Sequence, residues 1–174
     1  MKTKLWLALL MSLIVCIGAT AKPAAQKPMK PATAAQIRVF AALYDQGDKA
    51  FLSRDIQSVR SKMTPDFTLL LFGETFSRAQ YIGSMTAFFD QIIKVKTAKT
   101  SIQKLEFRGK RAFMEARGTS EFTMLGEDKK PHSFKMVQCS RDSWISTSRG
   151  WQIQVITAIS EQNYIDGKQV SARS

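Results

Sequence analysis

Apolar and polar positions first alternate at a helical period and later at a period of two. From Ala34, Ile37, Phe40, Tyr44 and Phe51 recur at helical spacing, and Ala41 and Leu52 widen the stripe. Gly47-Asp48 weakens this helix without ending it. Asp55 suits the cap of a second helix over Ile56 to Met63, with Ile56, Val59 and Met63 inward, and Thr64-Pro65-Asp66 closes it. Phe67 to Phe72 is a short apolar run and reads as a strand that turns at Gly73-Glu74. Ser77-Arg78-Ala79-Gln80 matches a capping box: the serine oxygen takes an orphan N–H and the glutamine reaches back. The helix it opens carries Tyr81, Met85, Phe88, Phe89, Ile92 and Ile93.

After Lys94 strands are expected over Thr100 to Arg108, Arg111 to Leu125, Ser133 to Thr147 and Trp151 to Tyr164. The turn signals between them are Gly109-Lys110, Gly126 to Pro131 and Arg149-Gly150, short enough for an antiparallel meander. Phe134, Met136, Gln138, Ser140, Asp142 and Trp144 share one strand face. Trp151, Ile153, Val155, Thr157 and Ile159 share a face of the next. The expected fold class is α+β: three N-terminal helices packed on a curved antiparallel sheet whose concave side is a natural pocket.

The first residues have a different pattern. Lys2 and Lys4 precede an apolar run from Leu5 to Gly18, and Ala19-Thr20-Ala21 supplies the small residues of a cleavage site. Residues 1–21 are therefore expected to be a signal peptide, and the protein periplasmic or secreted. Residues 22–33, with Lys22-Pro23, Lys27-Pro28 and Lys30-Pro31, form a Lys/Pro/Ala-rich linker, extended and able to touch an anionic surface weakly. A folded domain then spans 34–167, and 168–174 are a C-terminal tail. The net charge is +12, and loss of Lys2 and Lys4 would leave about +10. The basic residues are scattered, and with export that argues against nucleic acid as partner. Cleavage removes Cys16 and leaves Cys139 without an intramolecular disulfide partner.

Several local pieces carry a family resemblance: Arg54-Asp55-Ile56-Gln57-Ser58-Val59, Thr64-Pro65-Asp66-Phe67-Thr68, Ser77-Arg78-Ala79-Gln80-Tyr81, and Arg141-Asp142-Ser143-Trp144 followed by Gly150-Trp151-Gln152-Ile153. Their order over Ala34 to Gly167 resembles the nuclear transport factor 2-like superfamily, the cone-shaped, cystatin-like α+β fold that includes SnoaL-like cyclases and ketosteroid isomerases. The resemblance implies a binding cavity inside the cone, frequent dimerisation through the sheet, and in some branches cofactor-free acid–base chemistry. The isomerase branch keeps a carboxylate on the early strand, where this chain has Phe67-Thr68-Leu69-Leu70-Leu71-Phe72 and no carboxylate after Asp66.

The pocket candidates are Tyr44, Tyr81, Met85, Met114, Gln138, Asp142 and Trp144. The apolar ones would shape a cavity for a small apolar or amphipathic molecule, and Gln138 and Asp142 would orient it. Met85 and Met114 also suit plain core. Asp142 and Glu115 are the carboxylates best placed for acid–base work, and Asp142 would be the acid–base of a cyclase, hydratase or isomerase. The plainer reading pairs both with a neighbouring arginine, Arg117 or Arg141. His132, in the turn Lys129-Lys130-Pro131-His132, is the only histidine, so neither a Ser-His-Asp triad nor a His-cluster metal site is expected, and no cofactor is implied. Cys139 reads as buried and inert. Two uses of the domain follow: a ligand-binding cone or dimeric interaction module, and a cofactor-free SnoaL-like enzyme.

Overall fold

The computed structural model describes residues 28–174, so the signal peptide expected over 1–21 and the first part of the expected linker lie outside the described residues. Lys30–Pro31 (β1), at the end of that linker, pair with Phe107 and Glu106 at the sheet edge. Helix α1 (Ala34–Leu52) starts at a capping box that the sequence reading passed over. The Thr33 side chain accepts from Gln36 N at 3.3 Å, and Gln36 Oε1 accepts from Thr33 N at 2.9 Å. Gly47 stays inside the helix. After Ser53 the chain turns at Arg54, whose φ of 55° is unusual for a side-chain-bearing residue. Its guanidinium holds the turn by donating to the Ile92 carbonyl at 2.8 Å.

Asp55 caps α2 (Ile56–Ser61), accepting from the backbone of Gln57 and Ser58 at 3.1 and 3.0 Å. The helix stops two residues before the expected Met63, because the sheet takes those residues. Gln152 Nε2 donates to the carbonyls of Ser61 and Met63, and Ile153 N donates to that of Lys62. Met63 thereby becomes the first residue of β2 (Met63–Leu71). Pro65 lies where the pairing register shifts, so its missing N–H costs no ladder bond. Phe72 and Gly73, both at positive φ, make a two-residue turn into β3 (Glu74–Ser77), a strand that takes in Glu74, expected in the turn.

The capping box at Ser77 is as expected: its side chain accepts from Gln80 N, and Gln80 Oε1 accepts from Ser77 N at 2.8 Å. It opens α3 (Arg78–Gln91). Ile92 and Ile93 belong to the next strand, β4 (Ile92–Arg108), and strand alternation separates them: Ile92 is buried and Ile93 half exposed. β5 (Arg111–Leu125), β6 (Pro131–Thr147) and β7 (Gly150–Ile165) complete the meander, and the tail residues Lys168–Arg173 add β8 against β7.

The sheet order is β1-β4-β5-β6-β7-β2-β3. It is mixed rather than antiparallel, because β2 runs parallel to β7, with Leu69 opposite Ile156. A long connection through α3 and the meander permits that direction, which a hairpin would forbid. A bulge at Gln154 changes the expected face of β7. Trp144 pairs with Ile153 but Ser143 pairs with Val155, so Ile153 and Ile156 face the helices while Val155 and Thr157 face away. Further register shifts in β4 and between Cys139 and Ser140 add to the curvature.

Two apolar clusters fill the concave side. Phe40 of α1 packs on Phe107, Trp144 and Trp151, at ring-centroid distances of 5.8, 5.7 and 5.1 Å. Phe89, Ile92 and Phe122 form the second cluster, with Phe51, Phe88 and Phe134 packed against it. Between these clusters the cone is not filled.

Candidate functional site

A cavity of about 910 Å³ lies between the helices and the sheet, within the range that holds small molecules. Its inner wall is mostly apolar, with Leu69, Met85, Phe88, Met136, Ile153 and Ile156 among the residues that face it. Tyr44 comes from α1, Tyr81 from α3, and Gln138 and Trp144 from β6. The structure thus gathers five of the seven predicted pocket residues, Tyr44, Tyr81, Met85, Gln138 and Trp144, around one space.

The other two, Met114 and Asp142, do not line it. They face each other across β5 and β6 on the inward side of the sheet. Met114 is 1% exposed and belongs to the packed core. Asp142 is 3% exposed and sits behind Tyr44, whose hydroxyl donates to its Oδ2. The arginine partner considered for Asp142 is absent: among the described residues no cation pairs with it. Glu115 does find Arg141, at 3.0 Å, on the exposed face of the sheet.

A carboxyl without a cation in a buried site resists ionisation. Burial pushes Asp142 up to about 6, and the hydrogen bond from Tyr44 and the nearby Ser140 side chain hold it from rising further. Oδ1 nevertheless meets no donor in full hydrogen-bond geometry. Tyr44 is raised well above the usual phenol range, by burial first and then by the Asp142 charge. Burial, with a smaller contribution from Asp142, takes Tyr81 to about 12. Both phenols are therefore donors at neutral pH. The Trp144 ring stands edge-on to Tyr44, at 5.7 Å and 70°. Its indole N–H is near enough to ease the phenol's ionisation but makes no hydrogen bond in full geometry. Ser120 Oγ, buried in the cavity wall, has no partner either. The result is an apolar chamber with a few unpaired polar atoms buried behind its surface.

Two parts of this region escaped the sequence reading. Asp48 Oδ1 and Oδ2 accept from Thr100 Oγ1 and Thr100 N, both at 2.7 Å, and so pin α1 to β4 at the cavity. The only signal was an aspartate beside a glycine inside a helical stripe. The other part is Ser120, buried in the cavity wall on the inward face of β5, where a small polar residue gave no signal.

His132 lies away from the chamber, at the end of the β5–β6 hairpin. Its Nδ1 meets Asp166 Oδ2 at 2.6 Å, and its Nε2 meets Asp128 Oδ1 at 2.9 Å. Among the described residues no three His, Cys, Asp or Glu side chains are arranged to hold a metal ion. Cys139 is half-buried and opposite Arg117 in the sheet, on the face away from the helices.

No family model and no curated protein sequence matches the chain. Solved structures do. The Kfla4162 protein of Kribbella flavida superposes with a TM-score of 0.61 at 12% identity, over 82% of this chain and 96% of that one. An NTF2-like protein of Cytophaga hutchinsonii gives 0.53 at 13% identity, over 71% and 96%. A candidate scytalone dehydratase of Novosphingobium aromaticivorans gives 0.59 at 9% identity, over 79% and 87%. The chain shares the fold of these structures, an NTF2-like protein among them. Identities this low define fold and leave function to the site.

Proposed function

We propose that this chain is an exported protein that binds a small, largely apolar molecule in the cone, with Tyr44, backed by Asp142, at its polar end. One observation carries the reading: a mostly apolar chamber of about 910 Å³ is left open between the helices and the sheet, with the Tyr44 and Tyr81 side chains in its wall. Export is supported by Lys2, Lys4, the run Leu5 to Gly18 and the small residues Ala19 to Ala21.

The test is a titration with the neutral apolar dye N-phenyl-1-naphthylamine. Saturable fluorescence at one site per chain is expected, together with a raised melting temperature. Met85→Trp, which adds bulk to the chamber wall, is expected to weaken both while the protein stays folded. Absence of saturable binding, or equal binding by Met85→Trp, overturns the reading.

A second reading, a cofactor-free enzyme with Asp142 as acid–base, rests on a different observation. A carboxyl near 6 can hold or release a proton close to neutrality. Asp142 reaches the chamber only through Tyr44, so a proton would pass by way of the phenol. On a substrate once found, Asp142→Asn would abolish turnover without loss of binding. Retained turnover would remove Asp142 from the chemistry.

A further inference from the structure

The two tyrosines of the chamber wall are in different states. The Tyr44 hydroxyl gives its proton to the bond with Asp142 Oδ2. The Tyr81 hydroxyl makes no hydrogen bond among the described residues. It also differs from the Ser120 hydroxyl and the Trp144 N–H of the same wall, which have no accessible surface, because the Tyr81 oxygen keeps some.

The surface that Tyr81 keeps belongs to the chamber. The residue stands near the start of α3, and its ring packs at 5.4 Å on the Phe67 ring, itself 2% exposed. The side chain is thereby directed into the core, deep enough for burial to take its pKa to about 12. It is a donor at neutral pH. A ligand that displaces water from this wall must bring an acceptor, or the phenol is left unpaired. The Gln138 carboxamide also lines the chamber without a hydrogen bond among the described residues. It can turn to offer either a donor or an acceptor, so it does not select between ligands as a phenol does.

The surroundings also bear on the acceptor's charge. Asp142 is near enough for its carboxylate to act on Tyr81, and among the described residues no cation pairs with it. An anionic acceptor at Tyr81 would set a second negative charge beside the first.

We infer that the molecule held by this chamber carries an uncharged carbonyl or ether oxygen that accepts from the Tyr81 hydroxyl, with its apolar body on Leu69, Met85, Phe88 and Ile156. Tyr81 is then the residue that selects the ligand's polar end. The inference rests on the ligand-binding reading above and adds to it the chemistry of that end.

The test measures displacement of N-phenyl-1-naphthylamine by 2-undecanone, by 2-methyl-1-undecene, in which a methylene replaces the carbonyl oxygen, and by undecanoate. The ratio of ketone to alkene affinity is expected to fall about fivefold in Tyr81→Phe. Undecanoate is expected to displace the dye more weakly than the ketone. The melting temperature of Tyr81→Phe without ligand should match that of the wild type, since the deleted oxygen has no partner in the protein. A ratio equal in the two proteins removes the contact with Tyr81. A melting temperature lowered by the substitution does the same, because it would place the hydroxyl on a protein acceptor such as Asp142. Displacement by undecanoate as tight as by the ketone removes the uncharged oxygen. Each of these results leaves the ligand-binding reading standing, whereas failure of the dye itself to bind removes both.

Discussion

Asp142 concentrates the residue-scale argument. A mid-strand aspartate flanked by Arg141 invites an ion pair, and the strand face it shares with Gln138 and Trp144 is readable from alternation alone. Its actual partner, Tyr44, is 98 positions away and comes from another element, so no local pattern could supply it. Burial raises this carboxyl from its ordinary 3.8 to about 6. The folded protein therefore holds the proton more tightly than the unfolded chain does. Asp142's contribution to stability is fully present below about pH 4 and is lost as the pH rises through about 6, a change on the order of 3 kcal/mol. Asp142→Asn keeps a polar partner for Tyr44 and cannot ionise. Chemical denaturation of both proteins from pH 4 to 8 is expected to show the difference growing in the variant's favour across that interval. A constant difference would mean that Asp142 does not titrate there.

At the scale of elements, the long strands of the meander and both later helix caps were legible, because turn residues and period-two alternation are local signals. The misplaced boundaries share a tertiary cause. α2 ends early because Gln152 captures its carbonyls, β2 runs through Pro65 because a register shift removes the need for its N–H, and a bulge at Gln154 turns Val155 outward. The clamp at His132 is also tertiary. It joins the β5–β6 hairpin to the β7–β8 turn through Asp128 and Asp166, and the hydrogen bonds to Asp166 and then Asp128 raise the histidine pKa. Its support is fully present below the ordinary value of 6.5 and is lost as the pH rises through the raised one. Hydrogen exchange at residues 126–133 is expected to speed up in His132→Gln at pH 6 and to differ little from wild type at high pH. Gly126→Ala should have a similar effect, because a Cβ there would lie 2.6 Å from His132 Cδ2. Unchanged exchange in both variants at pH 6 would show that the clamp holds nothing.

The whole molecule is a cone whose apolar filling is divided, leaving a chamber between the Phe40 and Phe89 clusters. The sequence supplied the residues of both clusters, since large apolar side chains at the right period must go inward. It could not show that they leave space unfilled, which depends on the curvature set by bulges and on helix placement. Phe40, 1% exposed and in contact with three aromatic rings, closes one end. Phe40→Ala is expected to cost about 3–5 kcal/mol by denaturant titration. A cost under about 1 kcal/mol would mean that the helix is not held by this cluster.

The central claim is that the chamber is a binding site, and native mass spectrometry of the protein purified from its own host tests it most directly. The account predicts a chain starting at Lys22 that carries one small molecule, at lower occupancy in the variant Met85→Trp, which narrows the chamber. Equal occupancy in both proteins would place the ligand elsewhere, and a wild-type chain that neither carries a molecule nor takes up N-phenyl-1-naphthylamine would contradict the account.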